Sequence, residues 1–116
     1  MAKTRHPAEE YKMRDILSAG KLKSIQLLLN RSLVLLKTAV AEPEKRNECI
    51  IKTQNILAQF EAALNFREGS LSGHLFYLFD YIFVELNHRD ESALKTAIDM
   101  LTQLKETFAH FRTPLR

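Results

Sequence analysis

Four stretches of this chain repeat apolar side chains every three or four residues, and the links between them are too short to hold any other element. A 3.6-residue period puts such positions on one side of a helix, so the pattern predicts an all-α fold. The first stretch runs from about Lys21 to Val40, with Leu22, Ile25, Leu29, Leu33, Leu36 and Val40 in register and Gly20 or Ser18 as its N-cap. A second set, Leu27, Leu28, Val34 and Leu35, widens its apolar face beyond one seam. Glu42-Pro43-Glu44 ends this helix and begins the next, since Pro suits a first helical turn and acids suit the positive end of the helix dipole.

The second helix is expected from about Glu44 to Phe66. Ile50, Thr53, Leu57, Phe60 and Leu64 turn inward, and Glu48, Lys52, Gln59 and Glu61 form the wet side. Arg67-Glu68-Gly69-Ser70 reads as a turn, with Gly69 free to take positive φ and Ser70 or Ser72 capping a third helix that ends near Asn87. After His88-Arg89-Asp90, with Asp90 or Ser92 as the cap, a fourth helix carries Leu94, Ile98, Leu101, Leu104, Phe108 and Phe111 inward until Pro114 stops it. Gly20, Gly69 and Gly73 are all assigned to turns and caps. Four helices of about 20 residues, each about 30 Å long, predict an antiparallel up-down four-helix bundle. No strand-like alternation, internal repeat or low-complexity segment interrupts this reading.

The third helix is too apolar for one buried face. Eleven of the sixteen positions from Leu71 to Leu86 are aliphatic or aromatic, in a chain whose overall hydrophobic content is 46%. A core-facing helix needs about three positions in seven, which leaves about four large side chains without a core place. Leu71, Leu75, Leu78, Ile82 and Leu86 form one stripe, and Phe76, Phe79 and Phe83 form a neighbouring one. One stripe is core, while the other is either interface or the second side of an internal helix.

Charge narrows the partners. The net charge of +3 comes from the tails, where Lys3, Arg5, Arg112 and Arg116 contribute +4. Residues 7–111 carry 13 basic and 14 acidic groups. Residues 12–52 are mainly basic, residues 53–111 mainly acidic, and the aromatics lie mostly in the acidic half, so no basic stripe interleaved with aromatics exists to track phosphates. No nucleic-acid partner is expected. The N-terminus lacks the apolar run of a signal peptide, and no stretch approaches 18 uncharged apolar residues, so a cytoplasmic protein without membrane insertion is expected. Cys49 is the only cysteine, and its neighbours Ile50 and Ile51 point to a buried, reduced thiol.

No catalytic constellation stands out. Glu85-Leu-Asn-His88 has the Glu-x-x-His spacing of di-iron bundle sites, but those sites need a second such pair and two further carboxylates, and His6, His74 and His110 have no Glu three residues before them. There is no phosphate-binding glycine loop and no nucleophile elbow. Asp80, amid apolar neighbours, is read as the wet edge of its helix or as an ion-pair partner. No enzyme activity, cofactor or metal is expected.

One segment also resembles a known family. Gly69-Ser-Leu71-Ser72-Gly-His-Leu75-Phe-Tyr-Leu78-Phe79-Asp80-Tyr81-Ile82 is similar to the Gly-Gly-x-Ile-Ala-x-Asn-Leu-x-x-Leu-Tyr-Asp-Tyr-Met segment of the flagellar secretion chaperone FliS family. Ala19 to Asn30, Ile50 to Leu57, Leu101 to Phe108 and Tyr11 match further family positions in the same order, so the resemblance covers residues 11–108. Lys21, His74 and Phe108 stand where the family has Pro, Asn and Trp.

The resemblance implies a non-enzymatic cytoplasmic chaperone that binds the disordered C-terminal segment of flagellin, prevents premature polymerisation and assists flagellar type III export. It implies a short N-terminal capping segment on the bundle; with the polar residues 1–10 read as a flexible tail, one bundle domain is expected at 11–112 and a tail at 113–116. It assigns the Leu/Ile stripe of the third helix to the core and the Phe stripe to a client groove. Tyr11, Ile16, Leu22, Ile25, Leu29, Leu33, Phe76, Phe79 and Phe83 become the client-binding candidates, with the segment around Tyr11 and Ile16 covering an apolar groove until the client displaces it. A component of the export gate is a further candidate partner, and the protein itself is expected as a monomer or weak homodimer. The alternative is a helical adaptor or homodimerising bundle with no flagellin client.

Overall fold

A computed structural model describes residues 19–65 and 70–109. Its elements are α1 (Ala19–Ala41), a 3₁₀ turn (Pro43–Lys45), α2 (Arg46–Asn65), α3 (Ser70–Leu86) and α4 (Glu91–Ala109), with no strand among the described residues. Each helix packs on its successor and α4 closes the ring onto α1, the α3–α4 seam being the least extensive. The antiparallel four-helix bundle expected from the periodicity is therefore what forms. The tails, the capping segment around Tyr11 and Ile16, the Gly69 turn and Phe111 lie outside the described residues.

The core follows the predicted registers closely. Leu29, Leu36, Ile50, Leu57, Ile82, Leu86, Leu94 and Leu101 are fully shielded, with Leu33, Phe60, Leu104 and Phe108 nearly so. Lys23–Ala41 is long and apolar enough to cross a membrane, at mean hydropathy 1.2. In the bundle, however, its Leu29, Leu33, Leu36 and Ala39 lie in the core. Cys49 is a buried free thiol, as its neighbours suggested.

Side chains of α2 complete the ends of two other helices. The last four carbonyls of a helix have no partner within it. Arg46 Nε donates to Ala39 O near the end of α1 at 3.4 Å. Gln54 Nε2 donates to Phe83 O near the end of α3 at 3.0 Å and to Asn87 Oδ1 at 2.9 Å. Arg89 then takes a left-handed φ of 61°. Its N–H donates to Leu86 O at 3.1 Å and its Nη1 to Asn47 Oδ1, also at 3.1 Å. Of the two caps expected for α4, Asp90 serves: its Oδ1 accepts the Ala93 N–H at 2.8 Å.

Three expectations are corrected. Pro43 does occupy a first turn, but that turn is 3₁₀ and α2 begins only at Arg46. Gly73 is no cap; it lies inside α3 and faces open space. Glu61 is not simply on the wet side, because one of its carboxylate oxygens is shielded.

Phe79 stacks on Phe60 across the α2–α3 contact, with ring centroids 4.7 Å apart and planes inclined by 22°. Phe79→Ala is expected to cost about 3–5 kcal/mol in urea unfolding, the usual loss for truncating a buried aromatic. Ser32 gives the opposite sign. Its hydroxyl is fully buried with no hydrogen-bond partner among the described residues, so Ser32→Ala should leave stability unchanged or raise it by about 1 kcal/mol in the same assay.

Candidate protein-binding surface

Among the described residues six large apolar side chains are exposed: Leu27 and Val34 on α1, Ile51 on α2, and Tyr77, Tyr81 and Val84 on α3. The outward face of α4 carries Lys95, Asp99, Gln103 and Glu106 instead. Apolar exposure thus lies on three consecutive helices of the ring and spares the fourth.

The densest patch is on α3. Tyr77, Tyr81 and Val84 follow one another at spacings of four and three, which places them on one face of the helix. Tyr77 is 74% exposed, the most of any large apolar residue described. Gly73, His74 and Asp80 flank the line and are exposed too, so Asp80 sits at a wet edge as expected. The face toward α2 is set by Gln54, which reaches Phe83 O and Asn87.

The candidates read from the sequence divide into three groups. Leu29, Leu33 and Phe79 are interior, Phe79 with only 2% of its surface exposed. Ile25, Phe76 and Phe83 are half-buried and pack against the core from its edge. Tyr11 and Ile16 lie outside the described residues, and Leu22 lies on α1 with its side chain outside the described set. The division of α3 into a Leu/Ile core stripe and a Phe client stripe is therefore corrected. The core line is Leu75, Phe79, Ile82 and Leu86, which takes residues from both stripes, and the exposed line is a third one that belongs to neither.

Among the described residues no group of three or more His, Cys, Asp and Glu side chains could hold a metal, and Glu85 and His88 stand at the end of α3 without further ligands. The charged pairs Lys45–Glu42 at 3.1 Å and Lys52–Glu48 at 2.9 Å are exposed helix-surface contacts.

These features describe a bundle whose sequence pattern can be compared with known families. A sequence profile described as flagellar protein FliS matches residues 4–114, nearly the whole chain. The chain belongs to the FliS family. Membership supports a general role as a flagellar export chaperone, and this is a family of chaperones rather than enzymes. No curated protein and no solved structure gives a significant match. For a FliS-family bundle, exposed apolar residues on otherwise well-packed helices are the features available to a protein partner.

Where α2 faces α3, Glu61 is half-buried and close enough to Asp80 to feel its charge. Burial first, and the charge of Asp80 second, raise the Glu61 carboxyl above its ordinary 4.5. Its shielded oxygen has no hydrogen-bond partner among the described residues. Below pH 4.5 the group is protonated in both folded and unfolded chains and carries no penalty. As pH rises through the raised folded value, the unfolded chain ionises more readily and stability falls. Glu61→Gln should flatten that fall and leave the variant more stable than the parent at neutral pH, measured by urea unfolding across the acid to neutral range.

Proposed function

We propose that this FliS-family protein is a cytoplasmic export chaperone that binds the disordered C-terminal segment of flagellin, prevents its premature polymerisation and assists type III export. The observation that carries the reading is the line of Tyr77, Tyr81 and Val84 on α3, exposed although the helix already fills its core positions. A soluble bundle does not need that line for folding. An amphipathic client segment can cover it with apolar residues at helical spacing.

Phe76 and Phe83 border the line on its α2 flank and Leu78 borders it on the other, each half-buried and open on one side. Phe79 is buried on the inner side of α3, in the same core as Leu29 and Leu33 of α1. In this reading the segment around Tyr11 and Ile16 covers an apolar groove until the client displaces it, and Leu22 and Ile25 of α1 are further client contacts. A client that folds on binding gives up about 2–5 kcal/mol in ordering, so its contacts must exceed that cost and still release at the export gate. A component of that gate is the second partner in this reading. Several moderate apolar contacts suit such a balance better than one deep pocket.

Titration with a flagellin C-terminal peptide, followed by fluorescence anisotropy and far-UV circular dichroism, tests the reading. Saturable binding with a gain of helix is expected. Tyr77→Ser combined with Tyr81→Ser should weaken binding at least about tenfold, because exposed aromatics at the centre of an interface carry much of its energy. Both positions are exposed, so the melting temperature should stay within about 2 °C of the parent. A stable dimer at low micromolar concentration by light scattering, indifferent to the peptide, would overturn the chaperone reading in favour of a self-pairing adaptor.

A further inference from the structure

The outward face of α1 differs from every other face of the bundle. Leu27 and Val34 are each 58% exposed and lie seven residues apart, two turns and about 10.5 Å along the helix. Lys23 and Lys37 flank this pair on one side and Arg31 on the other, and all three are exposed. Among the described residues none of the three forms an ion pair, whereas the next elements pair Lys45 with Glu42 and Lys52 with Glu48. The whole of Ala19–Ala41 contains no acidic residue.

A basic residue on a helix surface is ordinarily solvated or paired with an acid one turn away. Here the bases are left unpaired around a heptad-spaced apolar seam. The combination is what one helix of a heterotypic coiled coil presents: apolar residues for the seam and like charges on the flanks that select an oppositely charged partner.

We propose that the outward face of α1 is a docking site for an acidic amphipathic helix of another protein. Leu27 and Val34 would pack into its apolar seam, while Lys23, Arg31 and Lys37 would pair with Asp or Glu on the flanks of that seam. The site is separate from the aromatic line on α3, because α1 and α3 each pack chiefly on α2 and α4 and so stand at opposite corners of the ring. It stands whether or not flagellin is the client.

Charge decides between occupants. A second copy of the chain pairing α1 with α1 would set Lys23, Arg31 and Lys37 against their counterparts, which is repulsive. An anionic membrane would satisfy the bases, but an interfacial helix needs a broad apolar face rich in large side chains, and this face offers two aliphatic residues in a single line. A helix with acidic flanks matches both the width of the seam and the sign of the charge.

The test uses the full chain and a fluorescein-labelled designed peptide of about three heptads, with Leu at its seam positions and Glu on its flanks. A second peptide of the same composition, scrambled to break the heptad, controls for unspecific attraction. Saturable binding is expected, weaker as salt rises from 50 to 300 mM because exposed charges are screened, and at least about tenfold weaker for the scrambled peptide. Lys23→Glu/Arg31→Glu/Lys37→Glu and, separately, Leu27→Gln/Val34→Gln should each lower affinity at least about tenfold, while Tyr77→Ser/Tyr81→Ser should leave it unchanged. Thermal melts check that all variants remain folded, as exposed positions permit. Equal binding of the scrambled peptide, binding insensitive to Leu27→Gln/Val34→Gln, or partition onto phosphatidylserine vesicles with no peptide binding would each overturn the proposal.

Discussion

The contact of α2 with α3 fixes the orientation on which the outer surface depends. Gln54 inserts from α2 to bond Phe83 O and Asn87, and further along the same helix Phe60 stacks on Phe79. A hydrogen bond to an otherwise unpaired helix-terminal carbonyl is directional, and a stacked aromatic pair has a preferred offset. Together they resist rotation of α3 about its own axis. A helix with eleven apolar residues in sixteen has several tolerable rotations by hydrophobicity alone, so a polar anchor is what selects one of them. Once that rotation is set, Tyr77, Tyr81 and Val84 point away from the core.

The same bundle assigns different characters to its four outer faces. α4 is amphipathic in the ordinary way, with its apolar residues inside and alternating charges outside. α2 exposes small and polar residues around Ile51, and its Glu48–Lys52 pair lies on the surface. α1 exposes aliphatic residues between unpaired bases, and α3 exposes tyrosines beside Asp80 and His74. Such unlike faces select partner segments of unlike chemistry, whether one client carries them all or several partners carry one each.

Much of the fold was legible because periodicity and punctuation agreed. Leu94, Leu101, Leu104 and Phe108 of α4 and Ile50, Thr53, Leu57 and Phe60 of α2 lie where spacing put them, with Ile98 only half-buried. Asp90 caps α4 because a short acid before a periodic run has its acceptor at the right distance. The site was less legible. On α3 both stripes satisfied a three-four spacing, and the true core line, Leu75, Phe79, Ile82 and Leu86, runs between them. The polar residues of the helix held the missing signal: Gly73, His74, Asp80 and Glu85 surround the direction in which Tyr77 points, so the wet side could have been located from them. The anchor itself could not, since nothing in the sequence links Gln54 to a carbonyl 29 positions later.

Exposed apolar surface brings a hazard that the arrangement limits. Six large apolar side chains gathered on one face would form a patch able to join copies of the chain. Distributed over three helices, with Lys23, Arg31 and Lys37 around one group and Asp80 and His74 beside another, no group is both broad and uncharged. A rigid neighbour of the same shape can reach only one group at a time. A flexible segment can follow the ring and engage several in succession, adding moderate contacts through their linkage in one chain. For the client proposed above, the distribution of apolar residues suits a disordered segment better than a folded one, through geometry that the sequence of any single helix does not contain.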